Sequence, residues 1–137
     1  MRVAVWDTYI TKKNGDAMHF DIIVPDTMND AATIYGYGKA YLKLKNEEDA
    51  SLESQECQLC HIESPTTEML DSISQQGYFI LEMEDISAAL PPNPSRRDLI
   101  LHLRAFYKNY RFADFKGKTL EDVQGILNDA KKWLIFK

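Results

Sequence analysis

Residues 2 to 24, RVAVWDTYITKKNGDAMHFDIIV, set two alternating apolar runs on either side of Asn14-Gly15, and no other stretch restricts the fold as much. Asn and Gly tolerate the positive φ angles of a two-residue type I′ turn, so the sequence predicts a β-hairpin. That turn sets Lys13 opposite Asp16, Ile10 opposite His19, Thr8 opposite Asp21, and Trp6 opposite Ile23. It also sets Tyr9 against Phe20, Asp7 against Ile22 and Val5 against Val24. Because strand side chains alternate, one face collects Val3, Val5, Tyr9, Met18, Phe20, Ile22 and Val24, with Asp7 as its one charged member. The other gathers Trp6, Thr8, Ile10, His19, Asp21 and Ile23. The first is the expected core face, the second the expected place for a ligand.

A chain of 137 residues with 45% hydrophobic residues supports one core and an extension. It contains no apolar run of about 18 residues, and the first residues lead straight into a strand without a signal-peptide pattern. The expectation is a cytoplasmic protein that does not enter a membrane. Charge divides the chain at Pro91: residues 1 to 90 carry a net charge of −10, residues 91 to 137 a net charge of +5. Docking of the basic segment on the acidic body, in the same chain or a second copy, is the simplest consequence.

After the hairpin, Asn29 or Asp30 can cap a helix reaching about Lys45, with Ile34, Tyr37, Gly38, Tyr41 and Leu42 on its apolar stripe. Gly36 and Gly38 suggest close approach of its backbone to the sheet. The GYGK run lacks the strand, glycine spacing and hydroxyl of a phosphate loop. A strand-like segment at Ser54 to Ser64 follows, then a helix capped by Thr66 and stopped at Gly77, then a strand from Tyr78 to Glu84. The order is ββαβαβ, which predicts an α+β fold with a mixed sheet and helices on one face. The prolines of AALPPNP mark a boundary at about residue 90. Beyond it, Ser95 and Thr119 cap two amphipathic helices, the second running toward Trp133. Together they form a basic helical hairpin, expected to pack on the body or on a second subunit and so to support a homo-oligomer.

Two places carry chemistry. Cys57-Gln58-Leu59-Cys60-His61 has the CxxCH form of covalent haem attachment, which the absence of an export signal argues against. Cys57, Cys60 and His61 could instead bind zinc with His19 as fourth ligand, provided the strand turns or bulges so that the three converge. The cysteines could also cycle between dithiol and disulfide, or be small buried hydrophobes. On the hairpin, Thr8, His19 and Asp21 with Trp6 alongside could orient an imidazole for acid-base work or ligation. Asp7 among apolar neighbours needs backbone amides or a cation. The arginines of the first C-terminal helix read as a solvated face, since the pI near 5.2 disfavours nucleic acid.

The stretches VAVWDTYI, MHFDIIVP, IYGYGKAYL and ECQLCHIE, in that order, resemble a small bacterial family classed as a domain of unknown function, DUF2024, over about residues 1 to 85. The resemblance implies a compact cytoplasmic α+β domain without an established activity. It draws attention to Trp6, Asp7, Thr8, Tyr9, His19, Asp21, Cys57, Cys60 and His61 without assigning them roles. The expected function is a non-enzymatic binding or assembly module holding a metal or small ligand between the hairpin and Cys57 to His61. The alternative is a small enzyme or thiol-redox protein using Cys57 or Cys60 with His19 and Asp21.

Overall fold

The computed structural model describes residues 1–135, without the side chains of Glu84 and of residues 133–135, so the expected role of Trp133 in the last helix lies outside the described residues. Its elements follow the order β1 (Val3–Thr11), β2 (Ala17–Pro25), α1 (Ala31–Leu44), β3 (Cys57–Glu63), α2 (Thr67–Gln76), β4 (Phe79–Ile86), α3 (Arg96–Phe106), a short 3₁₀ turn at Lys108–Tyr110, and α4 (Leu120–Ile135). The α+β class, the ββαβαβ order and the opening hairpin match the sequence reading.

The strands form one sheet in the order β3-β1-β2-β4, antiparallel at every pairing. Alternating helices and strands had predicted a mixed sheet. Strands of like direction do occur, β2 with β3 and β1 with β4, but each such pair is separated by one strand, so no parallel ladder forms. Nor do the helices share one face. The two central strands are buried on both sides along most of their length, and each side therefore needs its own cover. α1 covers one face, where Ile34, Tyr41 and Leu42 pack with Ile10, Phe20, Ile22 and Val24. On the opposite face α2 brings Met69 onto Val3, Val5 and Ile23. At the other end of that face α3 sets Ala105 against Tyr9, Ala17 and Ile86.

The hairpin register differs by one residue from the expected one: Asp7 pairs with Asp21, Tyr9 with His19, Thr8 with Phe20 and Trp6 with Ile22. The cause is the turn. Gly15 alone adopts a left-handed conformation (φ 91°), whereas Asn14 keeps a negative φ and its Oδ1 accepts from the Asp16 amide at 2.9 Å. The strands close at Lys12 N–H to Asp16 C=O, 2.7 Å, leaving a three-residue loop with glycine last instead of a two-residue turn. Asp7 and Tyr9 consequently share a face with His19 and Asp21, not with Phe20 and Ile22.

Asp30 stands at the N-cap of α1 but makes no side-chain capping bond, whereas the later caps form as expected. Thr66 accepts from the Met69 amide, Gly77 ends α2 in the left-handed region, and Ser95 with Asp98 closes a reciprocal capping box. Thr119 and Asp122 form the same box at the start of α4. α3 and α4 pack through Leu99, Leu103, Val123, Leu127 and Phe115. Arg111 fastens the segment after α3 to the body: its Nη1 donates to the Gln55 carbonyl at 3.2 Å and lies 3.8 Å from the buried Glu56 carboxylate.

Only one of the two α1 glycines is needed for close approach. A Cβ at Gly38 would collide with Leu52 and with Ile22 (2.9 Å), whereas one at Gly36 would meet nothing within 4 Å. Gly38→Ala should therefore lower stability by about 1–3 kcal/mol. Gly36→Ala should raise it by roughly 0.5–1 kcal/mol through helix propensity. Urea unfolding midpoints for the two variants check the contrast.

Candidate functional site

The one-residue change in register builds the site. Asp7 and Asp21 stand directly across from one another on the two central strands, and His19, two residues along β2, stands beside both. His19 Nε2 lies 3.7 Å from Asp7 Oδ1 and 3.6 Å from Asp21 Oδ1. One donor atom from each of the three residues falls within 4.8 Å of the others. Tyr9 stacks on the His19 ring, 4.2 Å between centroids at an interplanar angle of 8°, and fixes its plane. Both outer strands are irregular at this level: β3 bulges against Val5/Trp6 and β4 against Met18 to Phe20. Bulges of this kind re-aim side chains near functional positions.

The three residues occupy the stretch of sheet between the apolar patches under α2 and α3. The Asp21 side chain is 10% exposed, that of His19 11% and that of Asp7 25%. At 3.6–3.7 Å their contacts are ion-pair separations, not hydrogen bonds, and both His19 Nε2 and Asp21 Oδ1 are buried without a hydrogen-bond partner. Their ionisation is linked. Burial pushes Asp7 upward, but His19, Asp21 and the neighbouring Cys60 thiol outweigh it and hold the Asp7 carboxyl at about 2. Burial, and then the adjacent Asp7 carboxylate, push Asp21 upward against the pull of His19. Burial opposes protonation of His19, yet Asp21 and Asp7 together raise its pKa. The centre thus couples one imidazole to two acids whose pKa values are pushed apart.

The cysteine motif does not form the expected ligand set. Cys57 turns to the α1 face, where it is buried and its sulfur accepts from Thr8 Oγ1 at 3.2 Å. Burial raises its thiol to about 11. Cys60 is exposed on the Asp7 side and is also raised to about 11, first by burial and then by Asp7. His61 is exposed and meets Glu63 at 3.1 Å. Among the described residues, the donor group that comes together is Asp7, His19 and Asp21, with neither Cys57 nor His61 in it. The bulge that convergence required is present, but it turns His61 to the Cys60 side and leaves Cys57 alone on the α1 face. Trp6 and Thr8 likewise belong to the α1 face, Trp6 half-buried against the core there.

The family model for the domain of unknown function DUF2024 matches residues 1–83, a span that holds every residue of this centre. The chain belongs to that family. The NMR structure of protein NE1680 from Nitrosomonas europaea, a structural-genomics target, is similar at 38% identity with a TM-score of 0.56. The match covers 61% of this chain and 96% of that one. No curated protein matches the chain. No described helix is long and apolar enough to cross a membrane.

Sequence reasoning named Asp7, His19 and Asp21 but missed the groups that the segment beyond the DUF2024 domain brings to them. The Arg111 guanidinium lies over the Tyr9 ring, 5.9 Å from its centroid, and the charge of Arg104 reaches the Tyr9 hydroxyl and the Cys60 thiol. The opposite charges of the two halves were the available signal.

The centre makes stability pH-dependent with a definite sign. The His19 contribution is complete below its ordinary value of 6.5 and is lost as pH rises through the elevated folded value. That of Asp7 is complete above 3.8 and is lost as pH falls through about 2. Asp21, raised, acts in the opposite sense to Asp7 and favours the folded state only when protonated. Chemical unfolding should therefore show stability declining as pH rises above about 6.5, and His19→Gln should flatten that limb.

Proposed function

We propose that this protein is a non-enzymatic binding module that holds a divalent cation at Asp7, His19 and Asp21. One observation carries the reading: an imidazole nitrogen and a carboxylate oxygen, both buried and both without a hydrogen-bond partner, converge with a second carboxylate inside 4.8 Å. Leaving such groups unsatisfied costs about 1–3 kcal/mol each, and a dication meets both needs at once while separating the two acids. Neutral imidazole and carboxylates are ordinary ligands for zinc and related ions. The thiol-redox alternative is disfavoured because Cys57 and Cys60 face opposite sides of the sheet, so a disulfide would require rebuilding β3.

Calorimetric titration of chelator-treated protein with zinc, cobalt and manganese tests the reading. One ion per chain is expected, with thermal stabilisation of about 2.7 kcal/mol once the free ion exceeds Kd a hundredfold. Asp21→Asn should weaken binding by at least about tenfold, or about 1.4 kcal/mol, while keeping its circular dichroism and cooperative unfolding. Cys57→Ser and His61→Ala should bind as the parent does. Loss of binding in those two variants, with Asp21→Asn unaffected, would return the site to the cysteine motif.

A further inference from the structure

Asp7, His19 and Asp21 supply three donors, one short of a tetrahedral set. A fourth stands beside them. In β3, His61 pairs with Val5 and Leu59 with Trp6, so Cys60 is the residue that the bulge leaves without a partner. Cys60 and His61 together oppose Val5 and so share the face that carries Asp7, Asp21 and His19. The Cys60 thiol neighbours the Asp7 carboxyl and feels the charge of Asp21 as well. It is exposed and lies outside the 4.8 Å group, so as a ligand its sulfur would have to turn toward it.

We infer that Cys60 is the fourth protein ligand of this centre, so that the site selects a borderline dication of the zinc class over magnesium or calcium. The inference rests on the cation-binding reading above. Magnesium and calcium take oxygen donors and six or more of them, whereas one sulfur, one imidazole and two carboxylates suit zinc, cobalt(II) or iron(II). Asp21 supplies the independent pointer to a ligand, since its side chain is nine-tenths buried and its Oδ1 has no hydrogen-bond partner. The CxxC motif then contributes one sulfur, not two. Cys57 is committed to Thr8 on the other face.

Cobalt(II) bound to the full chain separates the two claims. Visible d–d bands report a bound ion, and a near-ultraviolet sulfur-to-cobalt charge-transfer band reports a thiolate ligand. Both are expected in the parent and in Cys57→Ser. Cys60→Ser, at an exposed position, should keep the visible bands, lose the charge-transfer band and bind cobalt at least about tenfold more weakly. Zinc should displace the cobalt, and a large excess of magnesium should not. Visible bands without charge transfer in the parent, or a charge-transfer band that survives Cys60→Ser, would overturn the role of Cys60 and leave the cation site standing. Absence of any cobalt spectrum would overturn both.

Discussion

Asp7 and Asp21 face one another across the two central strands of the sheet, and much of the molecule answers that pairing. Two carboxylates in so confined a place repel, and the sheet relieves the repulsion by setting His19 beside both. The imidazole is held flat by Tyr9. Tyr9 in turn is packed with Ala105 and Phe112 and lies under Arg111, all from the segment beyond residue 90. A chain of contacts thus runs from the acid pair through one histidine and one tyrosine to the C-terminal helices. The opposite net charges of the two parts have a local expression here, in addition to the Arg111 to Glu56 approach.

The two faces of the sheet are used differently. Under α1 the contacts are apolar and continuous, and Gly38 lets the helix backbone approach Ile22 and Leu52. On the opposite face the apolar cover is split into a patch under α2 and another under α3. The polar residues sit between the patches. The family match, residues 1–83, ends before α3, which covers the second patch. Here the extension buries Tyr9, on whose ring His19 stacks.

Elements and their ends were legible because each depends on a local cause. Thr66, Ser95 and Thr119 each reach the amide three residues on, and Gly77 takes a conformation that a Cβ would strain. The α+β class followed from the order of those elements. The register was not legible, since Asn14-Gly15 suits both a two-residue turn and a three-residue loop ending in Gly15. Asn14 chose the latter by bonding its side chain to Asp16. A single residue of slip moves a whole strand's side chains to the other face. Asp7 therefore looked isolated among apolar residues, and His19 and Asp21 looked like partners of Thr8. The cover on both faces was not legible either, because the order of elements does not say to which side of the sheet each helix crosses. In β3 the bulge at Cys60 is set by pairing with β1, a nonlocal interaction that CxxCH spacing does not encode.

Keeping this centre polar has an energetic consequence for the fold. A domain of this size is stable by about 5–15 kcal/mol, and two buried polar atoms without partners cost about 1–3 kcal/mol each. Hydrophobic residues at positions 7, 19 and 21 would continue the patches under α2 and α3 into one uninterrupted layer, as the neighbouring Val5, Ile23 and Ala17 already do. The α1 face shows that these same strands support such a layer. The interruption is thus not required by the architecture. It is confined to the level at which both edge strands bulge, so backbone irregularity and unsatisfied side chains coincide. A ligand that joins Asp7, His19 and Asp21 recovers the lost interactions and links the central strands through their side chains. In the proposed cation complex, binding and folding stability would be coupled at this point of the sheet.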